Sequence, residues 1–372
     1  MRYQIPRFVL AAGLGVASAI AQAPATSTPN YAQHGESVGA RHSDPALSLR
    51  APVAWPELRG GPTQGEGDYS VTALFREAHG EFMDRRERYD PSIEFRGRWL
   101  PNQRIKGEPG DFDLLGLDFD AEFPIVVYPD AYLLFGLYHQ SRRYQTSTLF
   151  GSNGNTGNSP AQNNAENAWG DETVTAAGVR VGLGLFLNDY VLLEVETNPG
   201  VYSDMERTLT HKDYDFPSSA LMTVQATNDF FFKFGLRYNQ VYEDAPWLPW
   251  LGFGWDMGDG WRLDVMLPEY FELAYWPTGS TAFTFGTQVQ GAQYSVRTVA
   301  GGERQRANIN VQEVFSYLGL THRMTDNMSF NARAGAVLAG QNDLTTGARA
   351  FRRTSGALDQ GFYADFTIGI DW

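Results

Sequence analysis

Three carboxylates at alternate positions, Asp118, Asp120 and Glu122, have a spacing that suits the attraction or binding of cations. Residues i and i+2 of a strand share one face, which would put neighbouring carboxylates about 6.5 to 7 Å apart. Such a row can attract cations into a pore or hold a divalent ion. Basic side chains across a narrow lumen can equally neutralise it, because buried charges need partners. The other charged residues expected to line the same lumen are Glu94, Arg96, Arg98, Lys233 and Arg237.

A histidine and a serine two residues apart, His139 and Ser141, suggest a second chemistry. Both would lie on the apolar face of a strand, where a histidine base could activate the serine toward a lipid ester. The pair resembles the His-x-Ser pair that outer-membrane lipid A deacylases carry on the lipid side of a barrel. This sequence is much longer than those enzymes, and the motif places no carboxylate beside the histidine. We therefore expect no enzyme, and keep the pair as the catalytic alternative.

Composition excludes several other kinds of site. The sequence has no cysteine, which removes disulfides, thiolate nucleophiles and cysteine-ligated metals. None of the six histidines stands in a zinc-binding pattern, and no glycine-rich segment has the spacing of a phosphate loop. We therefore predict no metal and no cofactor. The formal net charge of −14 has the wrong sign for a nucleic-acid partner.

Strict alternation of apolar and polar residues predicts the elements that position these side chains. In the last eleven residues, from Phe362 to Trp372, apolar side chains take one face and polar ones the other. Spans of about 9 to 11 residues with aromatic ends match tilted strands that cross hydrocarbon with their polar face toward a lumen. In lipid, only a closed barrel leaves no unpaired sheet edge. The prediction is an all-β antiparallel transmembrane barrel of about 12 strands, with a range of about 10 to 14.

Short turns and long loops should alternate around such a barrel. Tight-turn residues at 188–189, 258–260 and 277–279 are assigned to the periplasmic rim, and the Asn- and Gly-rich segment 145–171 to the outside. The barrel is predicted to cover residues 68–372 and to open with a strand at 69–79. Further candidate strands are 131–141, 173–187, 190–197, 220–226, 250–256, 261–267, 271–276, 282–296, 309–320 and 329–338.

The first 67 residues have the composition of a secretory signal peptide followed by a disordered segment. Residues 1–21 fit a secretory signal peptide, since Arg2 and Arg7 accompany an apolar stretch and small residues follow. Cleavage after Ala21 is favoured, because cleavage after Ala23 would leave Pro24 next to the cut. Residues 22–67 contain six prolines and many Ser, Thr and Gly, which predicts a disordered periplasmic arm.

Two resemblances add to these patterns. The last strand resembles the C-terminal signal by which Gram-negative outer-membrane barrels are recognised for assembly, although Trp replaces the usual terminal Phe. Residues 178–372 resemble an uncharacterised bacterial family of outer-membrane β-barrels of unknown function, through Asn-Pro-Gly-Val-Tyr-Ser-Asp (198–204), Pro-Trp-Leu-Gly (249–252) and Trp-Arg-Leu-Asp-Val-Met-Leu-Pro (261–268). The resemblances imply fold and location, and partners in outer-membrane lipid and the barrel assembly machinery. The assembly-signal residues are Phe366, Ile368, Ile370 and Trp372.

Together these features predict an exported, integral outer-membrane protein that acts as a narrow channel or transport protein for a small solute. Two alternatives remain open from the sequence. One is a filled barrel that serves a structural or binding role without conductance. The other is a lipid-modifying hydrolase that uses His139 and Ser141.

Overall fold

The computed structural model describes residues 71–86, 91–104, 106, 111–145, 172–206, 208–239, 246–300, 303–346 and 352–371. The predicted signal peptide, the predicted arm, residues 146–171 and Trp372 lie outside the described residues. The described residues form helix α1 (Val71–Arg86), a short 3-10 helix (His211–Asp213) and 17 strand segments in one sheet. The segments are β1 (Ser92–Gln103), β2 (Phe112–Tyr128), β3 (Ala131–Gln145), β4 (Glu172–Asn188), β5 (Val191–Thr197), β6 (Gly200–Ser203), β7 (Tyr214–Asp215), β8 (Ser218–Thr227), β9 (Phe230–Tyr238), β10 (Trp247–Gly258), β11 (Trp261–Leu267), β12 (Tyr270–Thr278), β13 (Thr281–Ala300), β14 (Glu303–Thr325), β15 (Met328–Thr346), β16 (Arg352–Ala357) and β17 (Gly361–Asp371).

The sheet closes on itself as a barrel. Strand β1 pairs antiparallel with β2 on one side and with β17 on the other, where Ser92 lies opposite Asp371 and Trp99 opposite Ala364. In three places, two consecutive segments form one strand of the wall, because both pair with the same neighbouring strand. These segments are β5 and β6, β7 and β8, and β16 and β17. The wall therefore has 14 strands.

The structure confirms the all-β antiparallel barrel predicted from alternation, with a strand number inside the predicted range. Strand β11 has the predicted bounds, and the other predicted strands overlap observed ones. The strand predicted at 69–79 is wrong, because residues from Val71 onward form α1. Its buried side chains Phe75, His79 and Phe82 follow each other at i, i+4 and i+7, the spacing of one helix face. No helix in the described ranges is long and apolar enough to span a membrane.

The barrel has two different ends. At one end, called the turn end, two-residue turns join strands at 129–130, 189–190, 228–229, 259–260, 279–280 and 326–327. The opposite, loop end carries the longer connections, together with the two-residue turn at 268–269 between β11 and β12. Strand lengths differ greatly, from 23 residues in β14 to 7 in β11. At about 3.4 Å per residue, the wall is therefore high along β13 to β15 and low along β11 and β12.

The outward face of the wall is apolar and aromatic. Side chains that alternate with the inward ones are exposed on several strands, and large apolar residues dominate among them. A surface of this kind is unfavourable in water and suits a hydrocarbon surrounding. Examples are Phe95, Trp99, Leu115, Leu117, Phe232, Phe234, Leu251, Phe283, Phe285 and Phe366.

A contact between distant strands narrows the loop end. Ser203 at the end of β6 pairs with Ser295 of β13, although five strands of the wall separate the two. The Asp204 amide donates to the Ser295 carbonyl at 3.2 Å, and the Arg297 amide donates to Asp204 Oδ2 at 2.6 Å. This contact, called the bridge, joins opposite sides of the barrel above the low strands.

Candidate functional site

Charged side chains form a layer across the middle of the barrel, called the charged layer. All eight residues expected to line the lumen lie on inward-facing positions there. Arg142 Nη2 donates to Asp118 Oδ2 at 3.0 Å, and Arg180 Nη2 donates to Asp120 Oδ2 at 2.9 Å. Arg180 also pairs with Glu122. Two arginines, Arg142 of β3 and Arg180 of β4, thus pair with the three carboxylates of the row.

The remaining predicted residues also have polar contacts within the barrel. Arg96 Nε donates to Thr367 Oγ1 at 3.2 Å, and Arg98 lies 3.7 Å from Asp365 and also bonds Gln290. Glu94 is buried on the same strand. The charged layer is therefore a connected network.

On the opposite wall the network continues through two buried groups and a partly exposed pair. Lys233 Nζ donates to both Asp264 oxygens at 2.8 and 2.9 Å and to the Tyr270 hydroxyl at 3.2 Å. Arg237 pairs with Glu269 near the top of the low wall. The second buried group consists of Glu272, Tyr317 and Arg333, in which the Tyr317 hydroxyl donates to Glu272 Oε2 at 2.6 Å.

Two polar cavities lie within the charged layer. The first, of about 240 Å³, includes Asp118, Asp120, Arg180 and Asp215 in its lining. The second, of about 210 Å³, includes Arg142 and Glu313. The linings share Arg96, Asp118, Gln140, Arg237, Asn239, Gly291 and Ala292, so the cavities adjoin. Among the described residues, no group of three or more His, Asp or Glu could hold a metal ion.

The cavities reach a gap in the wall, called the side gap. Along the edge of β13 that faces β12, strand pairing ends where the Val289 amide donates to the Glu269 carbonyl. Further along the same edge, β13 pairs with β6 at Ser295. Between these points, no described strand pairs with this edge of β13. The first cavity is lined there by 291–293 of β13 and, across the gap, by Asp215, Pro217 and Asn239. Residues of both rims thus belong to the lining of the first cavity.

Apolar side chains close the axis of the barrel at the loop end. Above the charged layer, inward-facing residues of β1 to β4 pack against those of β13 to β15 in one buried cluster. Several of its members have no measurable exposure, so the high part of the barrel is a packed core rather than a water-filled pore. The cluster includes Leu100, Leu114, Tyr144, Val174, Val296, Ile309 and Phe315.

Helix α1 stands in the opening at the turn end. Phe75 lies edge-on to Tyr132 and Phe186, and Phe82 lies 5.2 Å from the Phe186 ring centroid. His79 stacks on Phe186 at 3.7 Å, and its Nε2 lies 3.0 Å from Asp130 Oδ1 in the β2–β3 turn. Because Tyr132 and Phe186 are inward-facing and buried, the helix covers part of this mouth from inside.

The segment from Asp204 to Asp213, called the strap, extends the bridge toward β14. Arg306 Nη2 donates to Asp213 Oδ1 at 2.8 Å, and Arg306 Nη1 donates to the Thr210 hydroxyl at 2.8 Å. Burial alone would raise the pKa of Asp213, but hydrogen bonds from the Thr210 amide and hydroxyl, aided by Ser295 and Arg306, outweigh it and lower that pKa. The strap is thus attached through an ionised carboxylate.

We expect Arg306→Ala to weaken attachment of the strap by about 1 to 2 kcal/mol, because it removes two hydrogen bonds around a charged group. The depressed pKa of Asp213 means that its contribution is complete above its unfolded pKa of about 3.9 and is lost as the pH falls through the folded value. Hydrogen exchange of the strap amides, corrected for intrinsic rates, measures both effects. Arg297→Ala is the control, since Arg297 holds Asp204 through its backbone amide. Equal exchange in all three proteins would contradict the prediction.

The structure places His139 and Ser141 on the outward face of β3. His139 is exposed and Ser141 is half-buried. In the part of the chain that the structure describes, neither side chain has a hydrogen-bond partner, and a nucleophile with its base is normally hydrogen-bonded. Of the predicted assembly signal, Phe366 and Ile370 are exposed on the outward face of β17, with Ile368 between them.

The alternation of apolar and polar residues also marks several inward-facing residues that were not among the predicted lumen residues. Tyr138, Gln140, Arg142 and Tyr144 occupy alternate inward positions of β3, and Arg180 lies between two outward valines of β4. Asp215 had no such signal, because β7 has two residues and alternation needs a longer run.

Solved structures with similar strand arrangements come from bacterial outer membranes. An outer membrane channel from Pseudomonas putida F1 shares 9% identity over 76% of this chain and 96% of its own, with a TM-score of 0.38. The P. putida toluene transporter TodX shares 8% over 76% and 90%, with a TM-score of 0.33. LpxR from Salmonella typhimurium shares 8% over 76% and 100%, with a TM-score of 0.30. At these identities and scores the likenesses carry no functional argument.

No curated protein matches the sequence. A family model does match: the one described as "Domain of unknown function (DUF6268)" covers residues 163–369, from the end of the segment that follows β3 to the last strand. That span is more than half of the chain, and it contains the bridge, the strap, the side gap and most of the barrel wall. The chain therefore belongs to this family of unknown function, DUF6268.

Proposed function

We propose that this protein is a transport protein of the bacterial outer membrane that takes a small polar solute into the charged layer through the side gap. The location is supported by the closed barrel with its apolar outer face and by the predicted signal peptide. The observation that carries the proposal is the pair of polar cavities that reach a gap in the wall although the loop end is packed. A barrel filled only for stability has no need of such a route.

The release route in this proposal passes helix α1. The helix rests on inward-facing aromatic residues at the turn end. Its described contacts with the barrel include ring contacts and a histidine–carboxylate contact, and none of them is strand pairing. Its movement would open the turn end without breaking the wall.

Conductance in planar bilayers tests the proposal. Three chains are compared: one starting at residue 22, one lacking 22–67 and one lacking 22–86. Only the last lacks α1, so we expect stable conductance steps from it and mostly closed records from the other two. The chain lacking 22–67 is the matched control for the predicted arm.

Folding is checked by heat-modifiable gel mobility of each chain. A folded barrel without 22–86 that still does not conduct would contradict transport. That result would favour the filled structural or binding barrel, which the packed loop-end cluster supports.

A further inference from the structure

A buried carboxylate in the first cavity has no cationic partner among the described residues. Asp215 is 6% exposed and lines the cavity. Its Oδ1 accepts a hydrogen bond from the Phe216 amide at 2.7 Å. No basic side chain in the described ranges pairs with it, whereas Asp118, Asp120 and Glu122 nearby are each paired with an arginine. Burial of an unpaired carboxylate is costly, so such a group either takes up a proton or has a cation as its partner.

Three tyrosine rings lie on the same side of the charged layer. The ring centroids of Tyr138 and Tyr202 are 6.5 Å apart, and those of Tyr202 and Tyr294 are 6.3 Å apart. Tyr138 and Tyr202 line the first cavity together with Asp215. Cations are attracted to the faces of aromatic rings, and aromatic groups are the usual receptors of quaternary ammonium ions.

The segment from Asn198 to Asp204 builds this arrangement. The Tyr138 hydroxyl donates to the Asn198 carbonyl at 3.0 Å and lies 3.0 Å from the Tyr202 hydroxyl. A β-carbon on Gly200 would overlap the Tyr138 hydroxyl, so a residue without a side chain is required there. The same segment ends at Asp204, which forms the bridge to β13. The segment that forms the bridge therefore also positions Tyr138 and Tyr202.

The charge of the cavity favours a positive solute. Its lining contains five acidic side chains and three basic ones. Two of the basic ones are already paired, Arg180 with Asp120 and Arg237 with Glu269. The acidic residues are Glu94, Asp118, Asp120, Glu122 and Asp215, and the basic ones are Arg96, Arg180 and Arg237.

We propose that the first cavity binds a small organic ammonium cation, with Asp215 as its counter-ion and the rings of Tyr138 and Tyr202 against its alkyl groups. The inference deepens the proposed function, on which it rests for the entry of the solute through the side gap. It names the class of solute: a compact, permanently charged or protonated amine.

Binding of choline to the refolded chain from residue 22, measured by isothermal titration calorimetry in detergent, tests the inference. The neutral isostere 3,3-dimethylbutan-1-ol is titrated in parallel. We expect choline to bind at least about tenfold more tightly than the alcohol. Asp215→Asn and Tyr202→Leu should each weaken choline binding by at least about tenfold, and Tyr202→Phe, which keeps the ring, should weaken it less.

The matched control is Asp229→Asn, which neutralises an exposed carboxylate in the β8–β9 turn and should leave choline binding unchanged. Heat-modifiable mobility shows that each variant is folded. Equal affinities of choline for the starting protein and Asp215→Asn, or equal affinities of the starting protein for choline and the alcohol, would overturn the inference. The chain lacking 22–86 separates the two proposals: a conducting barrel that does not bind choline contradicts the ammonium site alone, and a choline-binding barrel that stays closed contradicts transport alone.

Discussion

Arg333→Met is expected to lower the free energy of unfolding by about 3 to 5 kcal/mol, because it removes one partner of a buried ion pair. Glu272 is 0% exposed, and Arg333 Nη2 lies 3.5 Å from its Oε2. The guanidinium also lies over the Tyr317 ring, 4.7 Å from its centroid. Methionine keeps most of the length of the side chain, so loss of charge rather than loss of volume dominates. Urea unfolding with lipid vesicles measures the change.

Two controls make this prediction specific to burial. Adding Glu272→Gln to Arg333→Met removes the buried negative charge as well and should recover most of the lost stability, because a neutral amide can still accept from Tyr317. Lys106→Met breaks the exposed pair with Asp359, whose atoms lie 3.9 Å apart, and should leave the unfolding midpoint unchanged. If Arg333→Met were no worse than Lys106→Met, the buried network would have no role in stability.

Phe75→Ala is expected to release helix α1 from the turn end. Phe75 is 0% exposed and contacts Tyr132 and Phe186, and removing a buried phenylalanine ring costs about 3 to 5 kcal/mol. At about 1.4 kcal/mol per factor of ten, the population of undocked helix should rise at least about 100-fold. Trypsin cleavage within α1 and the open fraction in planar bilayers report the undocked state independently.

Leu74→Ala is the matched control for the helix. Leu74 precedes Phe75 on the same helix but is 36% exposed, so its truncation should change docking by no more than about 0.5 kcal/mol. Faster cleavage in Phe75→Ala without a higher open fraction would separate docking of α1 from gating. Equal cleavage of the two variants would contradict a docking role for the contacts of Phe75 with Tyr132 and Phe186.

Strand assignment from the sequence worked where alternation is long. Strands β1, β2, β9 and β17 have runs in which one face is apolar and the other polar, and strand side chains alternate with a period of two. The sequence therefore placed Glu94, Asp118 and Lys233 on inward faces before any fold was known. The strand predicted at 69–79 was wrong because its apolar residues were read with a period of two, whereas Phe75, His79 and Phe82 fit the period of a helix.

The sequence by itself determined that the chain forms a closed β-barrel and which residues face inward, because those properties depend on local periodicity and on the need to pair every strand edge. Only the tertiary structure decided which charges meet. Arg180 reaches Asp120 and Glu122 through strand register, and Asp215 lines the same cavity as Tyr138 and Tyr202 because β7 pairs with β6. Register and strand height arise from pairings between residues far apart in the chain. No pattern within one segment encodes them.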